Sequence, residues 1–595
     1  MNGLTDTEIF NDRAPGFYFC DGAWFAIFHA PTLASNVQLV GDFTHWEASP
    51  LQLQKTESGK FWGARVKPQE FSQLPKAGDK YKFRLKYRGE NSWHLTQDPA
   101  ARNIEDTTLT CSSIVTENNY WWHDQSWQRP GWEYYAIYQV HPARFSHRST
   151  SNPIPRLTNE VSTYIRELGF TALELLPVNA FSQDDSWGYN GVFLYAIETS
   201  YGTPNDLKAL VDSCHQNGMA VILDVVLNHS GNRDNILWNI DHEEYFSGDT
   251  DWGPMFNYGS DVTRHFLINN LCFLTEEYHI DGFRFDMSHI MHMGDRWVNH
   301  VRQPGRESGW NFLLELRHKL KSIDPKLLLI AEELPDNWYV TQEVIGSSWS
   351  GEHHAPFDSQ WCDAYHDNAK AVIRGDHLDK LKAALTYYGD SWHDSINYTE
   401  SHDEVGNEDA RIAHVARNGR GWNISQVSAC LTLLSRGIPM IFMGQEAGEW
   451  MQFGQNGVAS DGSRWWEHYL DLDRYEHDPQ QSKILAWYKT IAKIRKRDMW
   501  AWSADSIEIN HLHNDNGVVA FTRSNGKYLV VLNFNDQVFY DYDLHVEGYY
   551  KELANTSWPV FNLFGDKEAT RGGDKHHYIH NVHVPAHGAI VLERY

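Results

Sequence analysis

Four short segments of this 595-residue chain carry carboxylates in an order that fits the ends of barrel strands: Asp224-Val-Val-Leu-Asn228-His229, Gly282-Phe-Arg284-Phe-Asp286, Ile330-Ala-Glu332-Glu333 and Glu400-Ser-His402-Asp403. Each follows an apolar, β-branched or aromatic run, the pattern of a buried strand. Carboxylates gathered at the ends of parallel strands suit the cutting or moving of a sugar–sugar bond. Positive charge builds at the anomeric carbon and negative charge on the departing oxygen, so one carboxylate must approach the first and an acid must protonate the second.

Asp286 is the candidate nucleophile. Arg284 precedes it by two positions, so on a strand both side chains share a face, and the cation keeps the carboxylate ionised. A purely structural Arg–Asp pair is the competing reading. Glu332 is the candidate acid/base: it ends an apolar strand, where burial keeps a carboxyl protonated. Glu333 is the alternative, since alternation puts the two on opposite faces and only one can look into a barrel mouth. Asp403 is the candidate third carboxylate, binding sugar hydroxyls, with Glu400 and Glu404 beside it as loop or subsite residues. His229 and His402 are candidate hydrogen-bond donors to the reacting sugar, and Tyr189 a candidate platform beneath it.

The elements that must position these groups alternate strand and helix from about residue 134. Eight strands are expected, at 134–140, 170–176, 220–224, 282–284, 327–330, near 357–361, at 396–398 and at 438–442. That pattern predicts a TIM barrel. One helix is well punctuated, with Thr203 as N-cap, Pro204 at its first position and Gly218 as its stop. The stretch 229–262 shows no clear element and is expected to be a small substrate-side insertion. Residues up to about 130 alternate at strand length, through Trp24-Phe-Ala-Ile-Phe, Val37-Gln-Leu-Val and Tyr81-Lys-Phe-Arg-Leu, and predict a β-sandwich. The Trp-rich stretch 121–132 is the expected seam. Strands at 518–521, 528–534 and 589–592 predict a C-terminal antiparallel sandwich. The expected division is therefore 1–130, 131–501 and 502–595.

A net charge of −27 disfavours nucleic acid or an anionic membrane as partner, because phosphates need a basic face. The 25 Trp and 29 Tyr suit stacking on sugar rings, and also suit large cores. Six scattered cysteines form no C-x-x-C pair, which argues against a disulfide framework or a zinc site. Met1-Asn-Gly-Leu-Thr-Asp has neither a basic region nor an apolar segment, and no run is long enough to span a membrane, so a cytoplasmic location is expected.

Taken together in this order, the four segments resemble those of the alpha-amylase superfamily (glycoside hydrolase family 13) of retaining hydrolases and transglycosylases. The resemblance implies Asp286 as nucleophile, Glu332 as acid/base and Asp403 as transition-state stabiliser. It further implies Tyr189, His229, Arg284 and His402 in the subsite of the cleaved sugar, with Asp224 in support. Val40-Gly-Asp-Phe-Thr-His-Trp46 and Tyr81-Lys-Phe-Arg resemble the glycogen-binding sandwich of glucan branching enzymes. Its tryptophans have two readings, binding glucan or packing the sandwich against the barrel.

Ser200-Tyr-Gly-Thr-Pro-Asn-Asp-Leu-Lys, Met255-Phe-Asn-Tyr-Gly-Ser, Leu470-Asp-Leu-Asp-Arg-Tyr-Glu-His-Asp-Pro and Glu400-Ser-His-Asp resemble branching enzymes. His289 and Glu404-Val-Gly-Asn-Glu resemble trehalose-releasing hydrolases instead, and Leu227-Asn-His is amylase-like. The resemblance favours a 1,4-alpha-glucan branching enzyme acting on glycogen, starch or maltooligosaccharides. A hydrolase (amylase or maltooligosyltrehalose trehalohydrolase) is second, and a barrel that only binds glycan is third. Asn228 stands where many amylases place a calcium ligand. The sequence offers no convincing ring of oxygen ligands there, so no cofactor is assigned and calcium is left as an uncommitted alternative.

Overall fold

The computed structural model describes residues 3–116, 119–146, 151–182, 186–293, 307–342, 355–386, 391–407, 411–415, 421–451, 453, 469–563 and 582–595, with short strand pieces at 297–298, 301–302, 344–347, 351–353 and 576–578. Eight parallel strands close into a barrel in chain order: Ile137–Val140, Ala172–Leu175, Ala220–Val225, Gly282–Phe285, Leu328–Ala331, Ser359–Trp361, Ser395–Asn397 and Ile438–Phe442. The eighth pairs with the first. Every predicted strand site carries one of these strands, the sixth as a three-residue piece.

Alternation does the positioning. Ile137, Ala172, Ile222 and Ile330 belong to one buried cluster that fills the barrel interior. Two residues further along the same face stand Gln139, Glu174, Asp224 and Glu332, all buried. Arg284 lies in register between Asp224 and Ile330 and joins this layer. The barrel is thus apolar below and ionisable above, at the C-terminal ends of its strands.

The predicted helix spans Pro204–Gln216, and Thr203 accepts from the Asp206 N–H at 3.2 Å as its cap. Gly218 turns the chain out of it at φ +73°, where a side chain would be strained. The Trp-rich stretch lies across the opposite, N-terminal end of the barrel. Trp127 stacks on His215 at 4.5 Å and donates to Asp281 at 2.9 Å. His215 is held between Asp124 at 2.9 Å and Asp281 at 2.8 Å. Asp281 immediately precedes the fourth strand, so this network ties the seam to the barrel floor.

The stretch 229–262 departs from expectation, because it has elements of its own. A helix, Ile236–Tyr245, is capped by Asn235 and broken in its dihedrals at Asp241. A two-stranded ribbon, Phe246–Asp249 with Pro254–Phe256, follows it. The helix is short and only weakly amphipathic, and the ribbon strands are three and four residues, so neither leaves a periodic signal.

Two sheets form the N-terminal sandwich, one around Ala23–His29 and Phe61–Val66, the other around Ala34–Gly41 and Lys80–Tyr87. Trp24 and Trp62 are buried in its core. It abuts the insertion: His29 Nε2 meets Asp241 Oδ2 at 3.1 Å, and Lys60 pairs with Asp261.

The C-terminal region has a six-stranded sheet and a ribbon of Phe539–Tyr542 with Val582–Val584. Along Val518–Arg523, Val518 and Ala520 share a cluster with the ribbon's Val582 and Val584. Val519 and Phe521 join the main core instead, so alternation buries both faces of the sheet. Among the described residues, no helix is long and apolar enough to cross a membrane.

Candidate active site

A cleft of about 330 Å³ opens at the C-terminal end of the barrel. Tyr189, His229, Asp286, Glu332 and Asp403 line it, with Trp252, Trp361, Tyr398 and Asn407. A larger cavity of about 590 Å³ lies between the N-terminal sandwich and the barrel, around Tyr18, Trp24, Arg102 and Phe273, and holds none of these groups.

Arg284 organises the cleft floor. Its guanidinium is fully buried and contacts Asp224 at 2.8 and 2.9 Å, Glu332 at 2.8 Å, Asp286 at 3.3 Å and Asp403 at 3.9 Å. Burial alone would lower this cation's pKa; the surrounding anions, Asp224 first, drive it well up instead. Four carboxylates, at or just beyond the ends of four different strands, therefore share one fixed positive charge.

Asn228 holds Asp286 from the other side, its Nδ2 donating to Oδ2 at 2.7 Å and to the Asp286 carbonyl at 2.6 Å. The chain then turns sharply: Met287 sits at φ +41°, a strained conformation for a residue with a side chain. The turn aims the Met287 N–H at Glu332 Oε2, 2.6 Å away. Glu332 is only 4% exposed, and burial raises its pKa well above the carboxylate range, against Arg284 and with the help of Asp286 and Asp403. Asp403 keeps 33% of its side chain open to solvent, and burial still raises its pKa, against the Arg284 charge and the Asn407 hydrogen bond.

Glu333 faces the other way. It accepts from Ser288 at 2.7 Å, His292 at 2.9 Å and Asn337 at 3.1 Å, inside the barrel wall. Of the adjacent pair, Glu332 is the one in the cleft. Glu400 is likewise a wall residue, bound to Arg411 at 2.9 Å and to the Ile412 N–H at 2.6 Å. Glu404 lines the cleft and is anchored by Lys370 at 3.0 Å.

The aromatic and histidine partners converge on the same wall. The Tyr189 ring stacks on His402 at 5.2 Å and 10°, and its hydroxyl donates to Asp224. Burial, then the Arg284 charge, keep His402 well below the usual histidine pKa. His229 is also lowered by burial; its Nε2 faces the Tyr189 carbonyl at 2.9 Å and its Nδ1 faces Asn228 Oδ1. The amide of Asn228 is thus turned inward, its nitrogen to Asp286 and its oxygen to His229. Among the described residues, the one cluster with metal-ligand spacing is Asp363, His366 and Asp367, on a helix beside the cleft.

Sequence reasoning missed Gln139, Glu174, the Asn228 amide and the Met287 N–H. Gln139 accepts the His402 N–H at 2.9 Å and donates to Glu174 at 2.8 Å. The signal for both was available: each is a polar residue near the C-terminal end of an apolar barrel strand.

Three family descriptions match the chain. Residues 139–237 and 233–508 match the alpha amylase catalytic domain, 509–595 the alpha amylase C-terminal all-beta domain, and 16–101 carbohydrate-binding module 48, the isoamylase N-terminal domain. The 1,4-alpha-glucan branching enzyme GlgB of Pseudoalteromonas atlantica is 30% identical over 78% of this chain; the match spans 64% of that protein, just under two thirds. The malto-oligosyltrehalose trehalohydrolase of Saccharolobus solfataricus is 30% identical over 71% of this chain and 78% of its own length. Among solved structures, a putative alpha amylase from Salmonella typhimurium aligns with a TM-score of 0.74 at 21% identity, over 98% of this chain and 100% of its own. A type I pullulanase from Bacillus subtilis aligns at 0.76 and 20% identity, over 99% and 86%, a likeness of fold.

Proposed function

This chain belongs to the alpha-amylase family, and on that premise we propose that it is a retaining 1,4-alpha-glucan branching enzyme. The observation that carries the reading is the single guanidinium shared by Asp286, Glu332 and Asp403 at the floor of one cleft. Asp286 attacks the anomeric carbon of a glucan unit. The bond to the departing chain breaks as protonated Glu332 gives its proton to the leaving oxygen. A glycosyl ester on Asp286 results, and Glu332 is left ionised. It then takes the proton of an acceptor 6-hydroxyl, whose oxygen attacks the same carbon and releases Asp286. Two inversions restore the α configuration.

In this reading Asp403 and His402 bind hydroxyls of the reacting sugar. Tyr189 and His229 shape the wall beside it, and Asp224 holds Arg284 in place. The named branching enzymes among the relatives and the module-48 match at the N-terminus favour a polymeric glucan over a short oligosaccharide. All six cysteines are free, which fits the reducing cytoplasm.

A second reading, hydrolysis with release of trehalose, is favoured by the trehalohydrolase relative. Incubation with amylose separates the two. Transfer predicts loss of iodine colour with little rise in reducing ends, and new α-1,6 signals by proton NMR. A matched rise in reducing ends, or free trehalose from maltooligosyltrehalose, sinks the branching reading.

A further inference from the structure

Glu174 lies on the second barrel strand, fully buried, and takes no part in the steps above. Its Oε1 accepts from Gln139 Nε2 at 2.8 Å, and its Oε2 has no hydrogen-bond partner. The Gln139 amide cannot be reversed. Its Oε1 accepts the backbone N–H of His402 at 2.9 Å, and the opposite orientation would set an NH₂ against that N–H. A chain of contacts therefore runs from Glu174 through Gln139 to His402. The His402 Nε2 stands 3.3 Å from Asp403 Oδ2.

We propose that Glu174 is a positioning residue that works in its uncharged form: it fixes Gln139, Gln139 fixes the His402–Asp403 corner, and loss of the Glu174 proton loosens that corner. This rests on the glycosyl-transfer reading. Ionised, Glu174 would be an anion with one oxygen unpartnered by the protein in a buried, low-dielectric interior. The groups facing it are Gln139 from the first strand and Arg284 from the fourth; around that guanidinium stand Asp224, Asp286, Glu332 and Asp403. A fifth anion would compete for the cation that orders the reacting pair. Burial lifts Glu174 to about 7, against Arg284 and the Gln139 hydrogen bond.

Two variants and one spectrum test this. Glu174→Gln keeps an oxygen for Gln139 and cannot ionise. It is expected to keep kcat/KM within about threefold at the optimum and to shift the alkaline limb of the pH profile upward. Glu174→Leu strands the Gln139 N–H. It is expected to lower kcat at least about tenfold while KM moves less than about threefold, with Gln as the rescuing residue. Infrared difference spectra of the wild type between about pH 5.5 and about pH 9 should show a protonated-carboxyl band that is lost on raising the pH and absent in Glu174→Gln. An unmoved alkaline limb in Glu174→Gln, an undiminished kcat in Glu174→Leu, or no such band overturns the proposal. A wild type inert on every α-glucan would instead defeat the functional reading, and the infrared band would still decide the state of Glu174.

Discussion

Replacing Arg284 by Lys tests the organisation of the cleft directly. Lysine keeps the charge but offers one ammonium where the guanidinium presents a planar fork. In the fork, one nitrogen holds Asp224 and reaches Asp286, and the other meets Glu332 at 2.8 Å. A lysine at this depth can satisfy one of these three partners, so two charge-assisted contacts are lost. At about 1.5–3 kcal/mol each, that is about 3–6 kcal/mol. If the loss falls on the geometry of the reacting pair, kcat/KM drops by about 10²- to 10⁴-fold, at about 1.36 kcal/mol per decade. The assay is initial loss of iodine colour from amylose, with reducing ends counted in parallel and thermal unfolding followed to confirm a folded variant. A folded Arg284→Lys within about threefold of the wild type would refute the claim that this fork aligns the two carboxylates.

Asp286→Asn should lower turnover by at least about 10⁴-fold while maltooligosaccharide binding, measured by calorimetry, survives. Glu332→Gln should lose about 10²- to 10⁴-fold in kcat, whereas Glu333→Gln, altering a wall residue held by Ser288, His292 and Asn337, should chiefly lower the unfolding temperature; equal kinetic damage from both would reverse the assignment. His215→Leu removes the shared partner of Asp124 and Asp281, which keep His279 and Arg129, and should cost about 1–3 kcal/mol of stability in urea titrations, with kcat on amylose at about 25 °C unchanged. Glu174 contributes a pH dependence whose sign follows from its raised pKa. Between its ordinary 4.5 and about 7 the folded chain holds a proton that the unfolded chain releases. Its stabilising contribution is full below about pH 4.5 and lost by about pH 7, on the order of 3 kcal/mol, so the wild-type urea midpoint should fall across that window more steeply than that of Glu174→Gln.

The barrel was legible because its strands are buried on both faces and most read as short, largely apolar runs, the sixth, Ser359–Trp361, least of all. The four acidic segments were legible for the same reason: their carboxylates break those runs. Period-2 alternation separated Glu332 from Glu333 but left open which looked inward, since that depends on the direction in which the fifth strand enters the ring. The inward layer of Gln139, Glu174 and Asp224 is a cross-strand relation. It exists only once register is set, and register is not written in any one segment. The Met287 N–H was invisible for another reason, because a backbone donor aimed by a positive φ has no side-chain signature. The helix and ribbon of the insertion were missed because they are too short to repeat a pattern.

The contact between His29 and Asp241, with Lys60 on Asp261 nearby, joins the leading module to the excursion that carries Trp252 to the rim of the cleft. That module is therefore a buttress. Cutting it away would unseat one lip of the catalytic mouth, so a shortened chain would lose rate on small soluble donors that never reach the module's own surface.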